Sequence, residues 1–470
     1  MILPHSRPWI AALLAAAFAT SLHAQVVDTL PADLRGKIDA VATRVLEATG
    51  VPSASIAVVK DGKVAYTHAY GLARLAPPLP ADPSMRYSIG SISKQFTAAA
   101  LLMLQQDGKL KLDDPVSKYL PKLTRANEVT LRMLLSHTSG YQDFWPQDYV
   151  MTPMLKSVTS GEILDTWAKK PLDFDPGTKW QYSNTNYVIA GVIIERVSGM
   201  PVMSFLQARV FTPLEMKSIY NSDEARLTST DATGYYRHAL GPLRPSPKEG
   251  KGWMFAAGEL AMPAYDLALW DISLINRSLM TAASYREMFD EAKLKDGGTT
   301  HYALGVDVSA PGGHLVLEHS GEVSGFVSDN IVYADDQAAV AVLTNQDAIS
   351  AASSIARQVG RLLVNLPTDA GTKEEIRAAA IFSDLQDGKI DRKLFTNNCN
   401  HYFNDLALQD FAQSLKSLGP PDSFRQVHTA LRGGMTFRVF RVVFPHQQLT
   451  VTTYEMPDGA IEQYLVMPAQ

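Results

Sequence analysis

The sequence contains a single cysteine, Cys399, and its eleven histidines are scattered along the chain. One cysteine cannot form an intramolecular disulfide, and scattered histidines do not supply the clustered ligands that a zinc site needs. The sequence also lacks the His-Glu-x-x-His zinc motif, the Walker A loop and the glycine-rich dinucleotide turn. We therefore expect no metal and no cofactor, and a chemistry performed by ordinary side chains.

Positive and negative charges nearly balance. The sequence has 43 Lys and Arg residues and 48 Asp and Glu residues, for a formal net charge of −5. Nucleic-acid binding depends on clustered positive charge, so we expect no nucleic-acid partner. Hydrophobic residues make up 46% of the 470 residues, which is enough for a large core and excludes disorder of the whole chain. At roughly 150 residues per domain, the length allows about three domains.

Residues 1–24 have the order of a secretory signal peptide. A polar start with one arginine, Arg7, precedes the uncharged apolar run 9–18, and the small residue Ala24 closes the segment. The apolar run is too short to span a bilayer, which leaves a buried N-terminal helix as the alternative. No cysteine lies near the predicted cut after Ala24, so lipid anchoring there is excluded. We expect a mature protein that is periplasmic or secreted and has no stable membrane anchor.

Strand patterns near both ends of the first 366 residues enclose a long stretch, 88–290, that is mainly helical. The early strands are predicted at 54–59 and 64–70, with an Asp-Gly turn between them. The late strands are predicted at 302–308, 314–319, 325–333 and 338–344. Early and late strands must then pair in one sheet. The expected fold is α+β, an antiparallel sheet flanked by helices with a large helical insertion.

The last hundred residues form a separate predicted domain. Residues 367–372 are polar and contain glycine, as a linker does. Beyond them, two helix patterns and four strand patterns predict a small α+β domain at 373–470 with an antiparallel sheet. The expected order is the signal peptide at 1–24, a catalytic domain at 30–366, the linker, and a C-terminal domain in which we find no catalytic constellation.

Ser91 and Lys94 are the first candidates for chemistry. A serine hydroxyl becomes a good nucleophile when a neighbouring base takes its proton, and a lysine can do so only when it is neutral. Three residues apart on a helix, the two side chains project from the same face, and burial would lower the pKa of the lysine. Ser91 at a helix N-terminus also offers its own N–H to an oxyanion. The alternative is a serine N-cap beside an exposed lysine.

Two later segments can complete such a site. Tyr182 can relay a proton to and from a serine, and the carboxamide of Asn184 can hold both a lysine and a substrate amide. His319, Ser320 and Gly321 close a predicted strand, where glycine lets backbone N–H groups approach a substrate. The structural alternatives are a surface turn capped by Asn184 and a polar strand end. Ser91, Tyr182 and His319 each fall in a different part of the predicted structure, as expected for a site between a sheet and a helical domain.

Three motifs, in this order along the chain, resemble those of the serine β-lactamases and penicillin-interacting DD-peptidases, specifically the class C β-lactamase-like group. The resemblance covers about residues 33–365. The motifs and supporting segments are Ser91-Ile92-Ser93-Lys94, Tyr182-Ser183-Asn184, His319-Ser320-Gly321, and residues 108–115, 134–140, 256–258 and 266–268. The resemblance implies that Ser91 forms an acyl-enzyme, that Lys94 and Tyr182 share acid–base work, and that Asn184 orients the acyl side chain.

The same resemblance assigns the oxyanion hole to the backbone N–H groups of Ser91 and Glu322, and places His319, Ser320 and Gly321 among the substrate-binding residues. His319 stands where β-lactamases carry a lysine, whose permanent charge helps to bind the carboxylate of β-lactams. Histidine is mostly uncharged near neutral pH. This departure argues against an efficient β-lactamase and points to the carboxypeptidase, aminopeptidase and esterase members of the superfamily.

The sequence therefore predicts an exported serine hydrolase that acts through a Ser91 acyl-enzyme on D-amino-acid peptides, small amides or esters, with β-lactams as weak substrates or inhibitors. The alternatives are a penicillin- or peptidoglycan-binding sensor that is acylated without turnover, a true class C-type β-lactamase, and a structural or chaperone-like role of the C-terminal domain, which resembles NTF2-like domains. His137 is interpreted as a structural helix-end residue. The expected partner is a small-molecule or peptide substrate, cell-wall fragments included, and the expected state is a monomer or homodimer.

Overall fold

The computed structural model describes residues 27–147, 149–238, 241–364, 372–432, 435–444 and 447–468. The predicted signal peptide at 1–24 lies outside the described residues, and so does the predicted linker at 367–372 except for Thr372. The chain divides into two compact units. The first comprises Met1–Ala310 and His314–Val364, and the second comprises Pro311–Gly313 and Asn365–Gln470.

The first unit is built around a seven-stranded antiparallel sheet. The strands of this unit are β1 (Ser53–Lys60), β2 (Lys63–Leu75), β3 (Pro78–Pro80), β4 (Tyr87–Ser88), β5 (Tyr220–Asn221), β6 (Tyr235–Tyr236), β7 (Arg244–Pro245), β8 (Leu260–Met262), β9 (Asp307–Ser309), β10 (Val316–Val323), β11 (Phe326–Tyr333) and β12 (Ala338–Thr344). The large sheet has the order β3-β2-β1-β12-β11-β10-β9, while β4-β8-β5 and β6-β7 form two small sheets. Early strands thus pair with late ones, as predicted.

The hairpin and the central strands follow directly from their residue types. Asp61 and Gly62, at the turn between β1 and β2, both have positive φ angles, 52° and 69°. Two positive φ angles match the right-handed twist of a hairpin, and Asp-Gly tolerates them best. The neighbouring strands β1 and β12 are rich in Val, Ala and Ile and are buried along almost their whole length. Continuous apolar runs of this kind form strands that are covered on both faces.

Helices cover both faces of the large sheet. The helices of this unit are α1 (Ala32–Thr49), α2 (Ser93–Gln106), α3 (Leu131–Leu135), α4 (Ser160–Ile163), α5 (Asn184–Ser198), α6 (Val202–Leu206), α7 (Ala264–Asn276), α8 (Ala282–Phe289) and α9 (Ala351–Leu363). On β11, Asn330 bonds to side chains of α2 and α7, whereas Tyr333 packs against Gly360 of α9. Because alternate strand residues face opposite sides, α9 lies across the sheet from α2 and α7. The predicted fold class, an antiparallel sheet flanked by helices, is confirmed.

Two of the predicted late strands differ from the structure. The prediction of a strand over 302–308 is wrong, because only Asp307–Ser309 pairs as a strand. Tyr302 to Leu304 are buried in the core outside any strand, and Gly305, with a φ of 79°, turns the chain there. The next strand begins at Val316 and runs on to Val323, so that it includes the predicted strand end. In both predicted strands, the apolar residues indicated that the segment is buried. They did not determine which residues form the hydrogen bonds of a strand.

The second unit has a sheet and a core of its own. Its elements are α10 (Lys373–Gln386), α11 (Asn397–Tyr402), α12 (Asp405–Leu415), β13 (Ser423–Arg432), β14 (Met435–Val443), β15 (Gln448–Glu455) and β16 (Ile461–Pro468). The four strands are antiparallel in chain order. Thr372 and Glu375 form a capping box that begins α10, which packs Phe382 and Leu385 into the core. Sequence patterns missed α11, a helix of six residues.

Among the described residues, no helix taken singly has the length and apolar character to cross a membrane. The segments Asn184–Ser198 and Val202–Phe211 reach that length and apolar character only when they are counted together, across a bend of 69°.

Candidate active site

The turn that carries Ser91 lies directly against β10. Ser91 sits in a 3₁₀ turn, Gly90–Ile92, immediately before α2. A Cβ atom on Gly321 would meet Ile89 O at 1.9 Å, and a Cβ atom on Gly90, whose φ is 51°, would meet Glu322 N at 2.7 Å. Only glycine permits this approach at either position. The two glycines therefore bring the backbone N–H groups of Ser91 and Glu322 into the same neighbourhood.

Lys94 is fully buried and its ammonium nitrogen has three oxygen neighbours. Nζ lies 2.9 Å from Ser91 Oγ, 2.8 Å from Asn184 Oδ1 and 2.8 Å from Ala257 O. The amide and backbone oxygens can only accept hydrogen bonds, whereas a serine hydroxyl can also donate one. When Lys94 is neutral, its two hydrogens satisfy the two carbonyl oxygens. Its lone pair then faces the Ser91 hydroxyl, which is the geometry of a general base.

The environment of Lys94 also favours the neutral form. Burial lowers the pKa of the Lys94 ammonium to about 7, and the negative charge of Asp143 opposes this shift. The rings of Tyr182 and Tyr187 lie 4.9 Å and 5.4 Å from Nζ. A substantial fraction of Lys94 is therefore unprotonated near neutral pH, which an exposed lysine would not be. The structure thus excludes the alternative of a serine cap beside an exposed lysine.

Tyr182 lies next to the nucleophile and remains a phenol. Burial raises the pKa of Tyr182, and a hydrogen bond with Ser91 opposes the shift. Because the pKa of Tyr182 is raised while that of Lys94 is lowered, Lys94 is the more readily deprotonated of the two groups. The Tyr182 hydroxyl is therefore suited to donating and relaying a proton, and Lys94 to accepting one.

Asp143, which sequence reasoning missed, holds Asn184 in place. Asp143 Oδ1 accepts hydrogen bonds from the backbone N–H of Asn184, at 2.9 Å, and from its Nδ2, at 3.2 Å. Burial raises the pKa of Asp143, and the N–H groups of Trp145 and Asn184 together with Lys94 oppose the rise. No motif singled out this aspartate, because it lies in an irregular segment and reaches Asn184 only through the fold.

His319 borders the cleft, and both of its ring nitrogens are engaged by the protein. Its Nδ1 donates to Ser320 O, which leaves Nε2 to accept from the hydroxyl of Tyr302 at 2.8 Å. Burial is the main cause that lowers the pKa of His319 to about 4, and the charge of Lys94 also lowers it. The ring is therefore uncharged at neutral pH and both of its nitrogens are engaged. Of the three residues in this motif, Ser320 is exposed to the cleft, while Gly321 contributes the close packing described above.

His137 supports the segment that carries Tyr182 and Asn184. It lies just after α3 in a left-handed conformation, with a φ of 58°. Its Nδ1 accepts the backbone N–H of Ser183 at 3.1 Å, and its ring packs on that of Tyr182 at 4.3 Å between centroids. Burial lowers the pKa of His137 well below its usual value, so the ring is neutral. It touches neither Ser91 nor the cleft, which gives it a structural position.

A cavity of about 650 Å³ opens in front of Ser91. Its described aromatic lining residues are Phe144, Trp145, Tyr149, Trp180, Tyr182, Trp253 and Tyr302. Its described acidic lining residues are Asp143, Asp307, Glu322 and Asp347, and none of the described lining residues is a lysine or arginine. Burial raises the pKa of Asp307 to about 7, so this group is only partly ionised near neutral pH. The cleft is thus aromatic and acidic. Within the part of the chain that the structure describes, no group of three His, Cys, Asp or Glu residues is placed to hold a metal ion.

The fold and the Ser91–Lys94 pair together define a serine hydrolase of the β-lactamase fold. The family model described as Beta-lactamase matches residues 38–363, well over half of the chain, and the chain belongs to this family.

Similar proteins include both peptidases and penicillin-binding proteins. Penicillin-binding protein 4* of Bacillus subtilis (strain 168) is 27% identical over 311 residues, which cover 62% of this chain and 68% of that protein. A D-aminopeptidase of Brucella anthropi is 28% identical over 335 residues, which cover 70% of this chain and less than two thirds, 62%, of that protein. The crystal structure of a D-stereospecific amidohydrolase from Streptomyces sp. superposes with a TM-score of 0.59 at 26% identity, over 69% of this chain and 98% of that one.

Proposed function

We propose that this protein is an exported hydrolase that cleaves amides or esters of D-amino acids through an acyl-enzyme on Ser91. The support is the buried, deprotonatable Lys94 beside Ser91. The similarity to a D-aminopeptidase and to a D-stereospecific amidohydrolase supports the D-amino-acid class. Export rests on the sequence pattern of residues 1–24.

In the proposed acylation step, neutral Lys94 takes the hydroxyl proton of Ser91 while Oγ attacks the substrate carbonyl carbon. The carbonyl oxygen becomes an oxyanion, which the backbone N–H groups of Ser91 and Glu322 stabilise. The tetrahedral intermediate collapses when Tyr182 donates a proton to the leaving amine or alcohol, and the proton on Lys94 returns to Tyr182. Water then attacks the acyl-enzyme, with the same groups acting in reverse.

The charge of the cleft is the observation that selects among substrates. Four carboxyl groups and no described lysine or arginine line it, and His319, where β-lactamases have lysine, is neutral. A carboxylate beside the scissile bond would meet unfavourable charge, whereas an uncharged group or a free amino group would not. The cleft therefore favours substrates of the aminopeptidase, amidase or esterase type. It disfavours carboxypeptidase substrates and β-lactams, which carry a carboxylate next to the reacting amide.

The experiment compares wild-type protein with Ser91→Ala on three substrates: a D-amino-acid para-nitroanilide, a short-chain nitrophenyl ester and a chromogenic cephalosporin. We expect Ser91-dependent turnover of the first two and little of the third. Turnover that is unchanged in Ser91→Ala would refute the proposal. Intact mass after incubation with a fluorescent penicillin tests the sensor alternative, because a lasting adduct without ester turnover would indicate a sensor. Fast hydrolysis of the cephalosporin would indicate a class C-type β-lactamase.

For the C-terminal unit we propose an NTF2-like fold that is stable by itself. The support is its four-stranded antiparallel sheet with three helices and its own core, which includes Phe382, Phe440 and Tyr464. Chemical denaturation should show the unit unfolding cooperatively when residues 373–470 are expressed alone, and failure of that fragment to fold would contradict the proposal.

A further inference from the structure

A second, smaller cavity of about 160 Å³ adjoins the catalytic cleft. The two cavities share Met254, Val323 and Ser324 as lining residues. The smaller cavity, which we call the side pocket, is also lined by Ser88, Thr233, Arg226 and Lys248. Glu249 also lines the side pocket, beside two cationic side chains of a kind that the described lining of the main cleft does not contain.

Among the described residues, neither cation of the side pocket is held in a close ion pair. In the described part of the chain, neither Arg226 nor Lys248 has a carboxylate oxygen within ion-pair distance. Lys248 is half-buried, and its Nζ reaches only the backbone oxygen of Glu249, at 3.3 Å. Burial lowers the pKa of Lys248, the carboxylates of Glu249 and Asp223 oppose this shift, and Arg226 adds to it.

The nearby carboxylates already have partners. Glu249 Oε1 accepts the backbone N–H of Ser324, at 2.9 Å, and its hydroxyl. Both oxygens of Asp223 accept the backbone N–H of Gly252, and Oδ1 also accepts that of Met254. These hydrogen bonds hold loops in place, while the charges of both carboxylates still favour the ammonium form of Lys248.

The side pocket also contains a serine hydroxyl for which the described residues offer no hydrogen-bond partner. Ser88 is only 6% exposed and lines the cavity, yet among the described residues nothing forms a hydrogen bond with its hydroxyl. A hydroxyl that lines a cavity without a protein partner can hydrogen-bond to a ligand or to water. Two unpaired cations and one unpaired hydroxyl in one small cavity form a complementary set for an anionic oxygen group.

The position of the side pocket relates it to the acyl part of the substrate. The part of β10 that lines the cleft begins at His319. The ring of His319 lies 6.4 Å from that of Tyr182, measured between centroids, and Tyr182 is the proposed proton donor to the leaving group. The side pocket begins at Val323 and Ser324, at the other end of this segment. With the leaving group at the Tyr182 end, the acyl part of a substrate would extend along β10 toward the side pocket. From Glu322 to Ser324 the chain advances about 7 Å.

We infer that the side pocket is a subsite for a carboxylate at the far end of the substrate's acyl group, bound by Arg226, Lys248 and the Ser88 hydroxyl. This inference rests on the proposed function. The preferred acyl groups are those of acidic amino acids or dicarboxylic acids, whose second carboxylate lies several bonds from the scissile carbonyl.

The kinetic experiment uses two nitrophenyl esters of matched length, the monoester of adipic acid and the ester of hexanoic acid. Wild-type kcat/KM should favour the adipate ester by about tenfold, since one charge-assisted hydrogen bond has roughly that effect. The preference should fall to about unity in Arg226→Gln/Lys248→Met and should weaken with added salt. Lys251→Met is the matched control, because this exposed lysine is paired with Glu224 and lies outside both cavities.

Three results would overturn the subsite: no preference in the wild type, a preference retained in the double variant, or an equal loss in Lys251→Met. If the double variant does not fold, Arg226→Gln alone replaces it. Because Arg226 is exposed, we expect this single variant to fold normally and to lose part of the preference for the adipate ester.

A binding measurement separates this inference from the proposed function. Calorimetry with adipate on the Ser91→Ala protein needs no turnover, and adipate should bind to it more weakly after Arg226→Gln/Lys248→Met. If neither ester is hydrolysed, the proposed function fails while calorimetry still decides the subsite. Absence of adipate binding, or tighter binding of inorganic phosphate than of adipate, would refute a carboxylate subsite.

Discussion

Asp143 fixes the orientation of the Asn184 side chain. One carboxylate oxygen of Asp143 accepts both the backbone N–H and the Nδ2 of Asn184, at 2.9 Å and 3.2 Å. With Nδ2 directed to Asp143, Asn184 Oδ1 faces Lys94 Nζ at 2.8 Å. A flipped amide would place Nδ2 against the lysine and Oδ1 against the carboxylate, which opposes both contacts. Asp143 thus acts on Lys94 twice, by its charge and through Asn184.

Asp143→Asn should shift the pH dependence of kcat/KM. The charge of Asp143 raises the pKa of Lys94. Without this charge, Lys94 loses its proton at lower pH, so the acidic limb of the profile should move to lower pH. The control is Asp347→Asn, which removes another carboxyl of the cleft whose charge does not act on Lys94. An unshifted limb, or the same shift in both variants, would contradict the role of Asp143.

The activity of the wild-type protein should require deprotonated Lys94. Its pKa of about 7 predicts that kcat/KM is maximal above that pH and falls about tenfold per pH unit below it. Lys94→Ala should reduce kcat/KM by roughly 10²–10⁴-fold, the usual effect of losing a general base. Lys109→Ala, which removes a lysine remote from Ser91 in the fold, should have little effect. Equal losses in the two variants would contradict the assignment of the base.

Gly321→Ala should disable acylation with little loss of the overall fold. A Cβ at this position would lie 1.9 Å from Ile89 O, so that β10 must move away from the Ser91 turn. Loss of one oxyanion donor reduces kcat by about 10²–10³-fold. Gly36→Ala in α1 has no atom within 4 Å of the new Cβ and is the matched control. Circular dichroism and the rate of acylation are the measurements, and a Gly321→Ala protein with normal acylation would argue against this role.

His319→Lys should change selectivity rather than the chemical step. The substitution places a positive charge at a position where the neutral His319 bonds to Tyr302. The charge offsets part of the acidity of the cleft, so kcat/KM for carboxylate-bearing β-lactams should rise relative to that for neutral esters. His319→Gln, which adds no charge, serves as control. An unchanged ratio in His319→Lys would refute the charge argument.

The pattern of the sequence was sufficient for the elements that depend on local rules. Asp61 and Gly62 form the predicted hairpin turn because two positive φ angles restrict the residues that fit. The prediction failed over 302–308, where apolar residues enter the core without forming a strand. Burial can be read from residue type, whereas hydrogen-bond pairing depends on segments far apart in the chain.

The candidate site divides in the same way. The sequence by itself determined the residue types and order of Ser91, Lys94, Tyr182 and Asn184, because the chemistry of an activated serine needs those groups. Only the tertiary structure decided the protonation states, since burial of Lys94 depends on the elements packed around it. It also added Asp143, a residue in no motif, since hydrogen bonds across the fold do not appear in a sequence pattern.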